Sequence, residues 1–90
     1  MRGKVLVTGC AGFIGFHLCK SLLEKKVQVL GIDNLNDYYD PQLKKDRLAL
    51  LMAYSDFEFE HVDLRENERI QQIFKENSFA TVINLGGSRL

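Results

Sequence analysis

The 90-residue chain has two cysteines, a single proline and no net charge, Lys+Arg 12 standing against Asp+Glu 12. Each scarcity excludes something. Without net charge there is no overall field to attract a nucleic acid or an anionic membrane surface, so any bound anion must be held by a local arrangement. Cys10 and Cys19 form no Cys-x-x-Cys pair, and with His17 and His61 they make no metal-ligand spacing. Reduced thiols in a cytoplasmic protein are the simplest expectation. The opening "MRGKVLVTG" carries a short, strand-like apolar stretch, with neither a signal-peptide core nor a membrane span after it. No Gly/Ser/Pro-rich linker and no repeat interrupts the chain. With 46% apolar residues it can support one small core, so residues 1–90 are expected to form a single compact domain.

What is present is an alternation of β-branched runs with runs of helical period, the pattern of a parallel sheet with crossover helices. Lys4 to Thr8 reads as a first strand. Ile14, Leu18 and Leu22 then recur every fourth position, predicting an apolar stripe on a helix from about Phe13 to Lys25. Val27 to Ile32 is a second, largely apolar strand, followed by the polar loop "DNLNDYYD". Asp40 before Pro41 has the form of an N-cap and first helical position, opening a helix with Leu43, Leu48, Leu50 and Leu51 that ends near Tyr54. "FEFEHV" alternates with period two as a third strand; Ile70, Ile73 and Phe74 mark a third helix, and "ATVINL" a fourth strand. The expected architecture is half of a doubly wound parallel sheet, strand order 3-2-1-4, with three right-handed crossover helices.

The first strand-to-helix corner, "VLVTGCAGFIG", carries glycine at 9, 12 and 15. Gly9 permits a tight turn, Gly12 brings no Cβ between the backbone and a diphosphate, and Gly15 lets helix and strand approach closely. A diphosphate there would meet the unpaired N–H groups and positive dipole end of the helix, which supplies the local anion site that neutrality demands. A plain glycine turn is the competing explanation, and the strand before, the helix after and an acid at the next strand's end weigh against it. That acid is Asp33. A carboxylate there can accept both adenosine ribose hydroxyls of NAD and would repel the 2′-phosphate of NADP; along the chain the next basic residue is Lys44. Asp63, ending the third strand, could accept from the adenine amino group or cap the third helix.

Other chemistry-bearing residues have plainer roles. Cys10, near a helix N-terminus, is expected to be an inert loop residue rather than a reactive thiolate. His17 and Lys20 belong to a solvated face, and His61 to a strand. The mixed charges of "LKKDRL" cancel as a nucleic-acid patch. Tyr38 and Tyr39 either cover a ligand or anchor their loop.

Taken together, "TGCAGFIG" resembles the Thr-Gly-x-x-Gly-x-x-Gly loop of extended short-chain dehydrogenases/reductases, whose fold is Rossmann-like. "FIGFHL" with "GIDNLNDYYDPQLKKDRL" is similar to UDP-glucuronate 4-epimerases and related nucleotide-sugar epimerases, over Lys4 to Leu85. The resemblance implies NAD contacts at Gly9, Gly12, Phe13, Ile14, Gly15, Asp33, Asn34, Asn36, Asp63 and Leu64. "NLGGSRL" stands where the family has an Ala-Ala-containing segment, so Leu85, Gly86 and Gly87 are implied beside the nicotinamide. Such epimerases use a tyrosine and a lysine four positions later as acid and base. Tyr38, Tyr39 and Tyr54 are followed at that spacing by Gln42, Leu43 and Glu58. The expected function is therefore the NAD-binding N-terminal portion of a nucleotide-sugar epimerase or dehydratase. It would have no catalytic pair of its own, and a nucleotide-sugar substrate would bind only in a full-length parent. The alternative is a non-catalytic nucleotide-binding or assembly module. Nucleic acid and membrane are not expected partners. A second copy is, through the unpaired edge at Thr81 to Leu85.

Overall fold

The computed structural model describes residues 3–35 and 41–85. Asn36, Tyr38, Tyr39, Asp40, Gly86 and Gly87, singled out above, lie outside them. The described elements are β1 (Lys4–Thr8), α1 (Phe13–Glu24), β2 (Gln28–Asp33), α2 (Pro41–Met52), β3 (Phe57–His61), α3 (Asn67–Glu76) and β4 (Phe79–Asn84). The strands form one sheet in the order β3-β2-β1-β4. All three pairings are parallel, with Val5 beside Val29, Val29 beside Phe57, and Val5 beside Thr81. This is the expected Rossmann-like half of a doubly wound α/β sheet.

Strand periodicity divides the core between two faces. Val5 and Val7 of β1, Val29 of β2 and Phe57 of β3 point to one side, where Phe16, Cys19 and Leu23 of α1 and Leu51 of α2 cover them. Leu6, Leu30 and Ile32 point to the other, against Ile73 of α3 and Val62, which follows β3. Because β1 and β2 are covered on both faces, their apolar runs are continuous, as parallel central strands require.

Two helical faces differ from expectation. The α1 stripe is not Ile14–Leu18–Leu22: Ile14 is 66% exposed, Leu18 and Leu22 are half-buried, and Gly15, Phe16, Cys19 and Leu23 face the sheet. The inward face is turned because a glycine and a cysteine, both small, occupy positions nearest the strands. On α2, Leu51 is buried and Leu48 half-buried while Leu43 and Leu50 are exposed, so this helix meets the sheet over a narrow band. None of the described helices is long and apolar enough to cross a membrane.

Candidate functional site at the strand tips

The C-terminal ends of the four strands lie along one edge of the sheet, where open parallel sheets bind ligands. At its centre is the glycine corner. Gly9 adopts φ +76°, a conformation that side chains disfavour, and its N–H donates to the Ile32 carbonyl at 2.7 Å. The Gly12 N–H closes the turn onto the Gly9 carbonyl at 3.1 Å. A Cβ on Gly15 would lie 2.0 Å from that same carbonyl oxygen, so only a residue without one lets α1 start this close to the loop. Gly12 is in a different situation: it is the N-cap of α1, in extended backbone, and a Cβ there would come near only the Gly9 oxygen, at 3.3 Å. No side chain caps α1 and its first turn holds no acid. Its first-turn N–H groups therefore have no side-chain acceptor, and they open on a loop that presents main chain.

Phe13 and Ile14 begin α1 and are each 66% exposed at the rim of this corner. Phe13 stands edge-on to His17, ring centroids 4.8 Å apart, and the Arg47 guanidinium lies over its ring at 5.9 Å. His17 and Lys20 are solvent-facing, as expected.

Asp33 ends β2 with its side chain only 3% exposed. One carboxylate oxygen accepts the Ala11 N–H of the glycine loop at 2.9 Å; the other accepts the Leu35 N–H at 2.7 Å and the Lys44 ammonium at 3.2 Å. The carboxylate therefore joins the loop to the strand tip. Lys44, distant in sequence, is carried to it by α2, which corrects the expectation that no basic residue stands near Asp33. Arg47, one helical turn on, donates to the Ala11 carbonyl at 3.2 Å. These two cations were missed because separation along the chain stood in for separation in space. Their three-residue spacing, which puts them on one helix face, was the available signal.

Asn34 follows Asp33, and its carbonyl accepts His61 Nε2 at 2.9 Å. Asp63 lies just beyond β3 and is clasped by Arg65, whose guanidinium donates to both oxygens at 2.8 and 3.1 Å and whose N–H adds 2.9 Å. Those hydrogen bonds, with a smaller contribution from Asn34, pull the Asp63 carboxyl down to about 2. Asp63 does not cap α3, one of its two proposed roles: the helix begins at Asn67 with Glu66 at the N-cap. Asp63 instead shapes the preceding turn, its own N–H donating to the Glu66 carboxylate at 2.7 Å. Leu64 beside it is half-buried. On the other flank, Leu85 is held at the tip of β1, its N–H reaching both the carbonyl and the hydroxyl of Thr8 at 3.1 and 3.0 Å.

Both thiols are buried. Burial pushes the Cys19 thiol up to about 12 and the Cys10 thiol higher, so Cys10 is the inert loop residue expected of it, despite its place beside a helix N-terminus. Its sulfur packs on Gly31 of β2, where a Cβ would lie 2.7 Å from Cys10 Sγ and 2.9 Å from the Phe57 ring. Gly31 is a third residue that sequence reasoning passed over.

With this geometry in place, comparison with known proteins is specific. The chain is 54% identical over 79 residues to an uncharacterised 37.6 kDa protein of Escherichia coli O111:H-, covering 88% of this chain and 23% of that one. It is 46% identical over 81 residues to UDP-glucuronate 4-epimerase 4 of Arabidopsis thaliana, covering 90% and 18%. Among solved structures, UDP-glucuronic acid 4-epimerase from Bacillus cereus in complex with NAD superposes with a TM-score of 0.80 at 35% identity, over 91% of this chain and 26% of that one. The chain thus spans about a quarter or less of the length of these relatives. A family model described as GDP-mannose 4,6 dehydratase matches residues 6–90. The chain belongs to this GDP-mannose 4,6 dehydratase family.

Proposed function

We propose that the chain binds NAD along the strand tips, as the cofactor-binding portion of a nucleotide-sugar epimerase or dehydratase acting on a UDP-linked sugar acid such as UDP-glucuronate. The observation that carries this is the glycine corner: a loop of bare main chain that opens on an uncapped helix N-terminus and is tied directly to a buried aspartate. The relatives named above support the choice of cofactor and sugar.

In this assignment Gly9, Gly12, Phe13, Ile14 and Gly15 hold the diphosphate, with the first-turn N–H groups of α1 as donors. Asp33 and Asn34 receive the adenosine ribose, Asp63 and Leu64 the adenine, and Leu85 stands toward the nicotinamide. Asn36, Gly86 and Gly87 are assigned by the same reasoning from sequence alone. Asp63, fully ionised at neutral pH, can accept a hydrogen bond from the adenine amino group but cannot donate one. When bound, NAD supplies a hydride acceptor. What these residues contribute is binding and orientation.

Calorimetric titration with NAD, AMP and UDP-glucuronate tests the assignment. NAD and AMP should bind, with the adenine end carrying most of the affinity, and UDP-glucuronate alone should not. The absence of heat with NAD at millimolar concentration would reject it. Gly12→Ala provides a sharper check, because its backbone is extended and one neighbour must yield by a few tenths of an ångström. The variant should melt within a few degrees of the parent. Its NAD affinity should nevertheless fall about tenfold, since a methyl group then stands where the diphosphate meets the main chain.

The free edge of β4 supports a further part of this proposal, that the 90-residue polypeptide self-associates. Among the described residues β4 pairs only with β1, and Val82 on it and Phe74 beside it are 40% exposed. Light scattering across a concentration series should show mass rising above that of one chain. A constant monomer mass at the highest concentration would refute self-association without touching the NAD assignment.

A further inference from the structure

Resting on the NAD assignment, a hydrogen-bond count at Asp33 leads to a third residue of the ribose site. A carboxylate offers about four acceptor positions, and three are occupied here, by the Ala11 N–H, the Leu35 N–H and the Lys44 ammonium. Two ribose hydroxyls need two acceptor positions, so one partner must give way. The two backbone donors are fixed by the glycine loop and by the strand end. Lys44 is the partner able to leave, because its ammonium sits on a flexible four-carbon stem and its side chain is 22% exposed.

We propose that Lys44 is a specificity-determining residue of the adenosine ribose site, which releases Asp33 to the ribose of NAD and offsets the repulsion Asp33 would otherwise exert on a 2′-phosphate. An aspartate at this strand tip excludes NADP by placing a negative charge against the extra phosphate. Here a positive charge lies 3.2 Å from one of its oxygens, so the pair presents little net charge to an incoming anion. Arg47 sits one turn along the same helix face and is engaged with the Ala11 carbonyl. It extends the cationic side of the site toward the glycine loop. The chain therefore prefers NAD by hydrogen bonding, and charge repulsion adds little to that preference.

The test is a calorimetric comparison of NAD and NADP on the 90-residue chain and on Lys44→Gln and Lys44→Arg, with circular dichroism showing that each variant is folded. The parent should bind NADP within about tenfold of NAD. Lys44→Gln should weaken NADP relative to NAD by tenfold or more, and Lys44→Arg should keep that ratio at the parent's value. An unchanged NAD-to-NADP ratio in Lys44→Gln would overturn the proposal, as would NADP binding too weak to detect in a parent that binds NAD. If Lys44→Gln is unfolded, the ratio in Lys44→Arg decides alone: it must stay at the parent's value, and a wider gap would count against the charge-based role. Failure of the parent to bind NAD at all would remove the site assignment and this role together.

Discussion

Gly15→Ala should destabilise the chain sharply although it places a better helix former inside a helix. Intrinsic propensity favours alanine by about 1 kcal/mol in a helix interior. Against that, the new methyl would lie 2.0 Å from the Gly9 oxygen, 2.8 Å from the Gly9 carbonyl carbon and 3.0 Å from Cys10 Cα. All three are backbone atoms, so no rotamer change relieves the contact. Either α1 lifts from the sheet, uncovering Phe16, Cys19 and Leu23, or the Gly9 turn opens and loses its hydrogen bond to Ile32. Overpacking of this kind costs about 3 kcal/mol or more. For a chain of this size, that lowers the melting temperature by roughly 12–24 °C. A thermal melt followed by circular dichroism checks it, and a melt equal to or above the parent's would mean that the corner is looser than its geometry. Gly12→Ala should contrast with this, leaving the fold nearly unchanged while weakening the NAD binding proposed for the corner.

Asp33→Asn should be costly for stability and for cofactor together. An amide retains one acceptor oxygen, while its nitrogen must face either the Ala11 N–H or the Leu35 N–H and Lys44 ammonium, all of them donors. A buried donor left without an acceptor costs about 1–3 kcal/mol, and Lys44, partly exposed, recovers some of its loss by turning to water. A net loss of about 2 kcal/mol corresponds to a melting temperature lower by roughly 8–16 °C. The ribose would lose a charged acceptor for its hydroxyls, so NAD affinity should drop roughly a hundredfold. Chemical denaturation and calorimetry on one preparation check both. Because Asp33 and Lys44 touch, their effects should not add: Asp33→Asn with Lys44→Gln should be more stable than the sum of the single changes, and strict additivity would show that the bridge contributes nothing.

The two central strands, β1 and β2, were legible in the sequence because parallel strands buried on both faces are written as apolar runs, and the edge strands β3 and β4 because of their alternation and their β-branched residues. Lys4–Thr8 was placed to the residue, and the second and fourth strands within one residue at each end. The glycine corner was legible for a related reason, since few backbones other than a strand-to-helix turn need three unsubstituted positions so close together. Inward helix faces were less so. A search for large apolar side chains selected Ile14, whereas the fold uses Gly15 and Cys19 where helix and sheet come closest. Least legible were Lys44 and Arg47, which the crossover carries back to the corner. In "LKKDRL" they look like solvated charge, and only the return of the chain over the sheet makes them neighbours of Asp33 and Ala11.

One small volume above the sheet is shared by three distant positions: the sulfur of Cys10, the missing side chain of Gly31 and the ring of Phe57. None of the three can be sized independently of the other two. A family member with a bulkier residue at the loop position must compensate on the second or third strand, and a lone substitution at any of them will look harsher than the residue type suggests. Glycine corner and strand interior are thus coupled sterically as one piece, which limits how freely the loop could be exchanged without bringing its floor along.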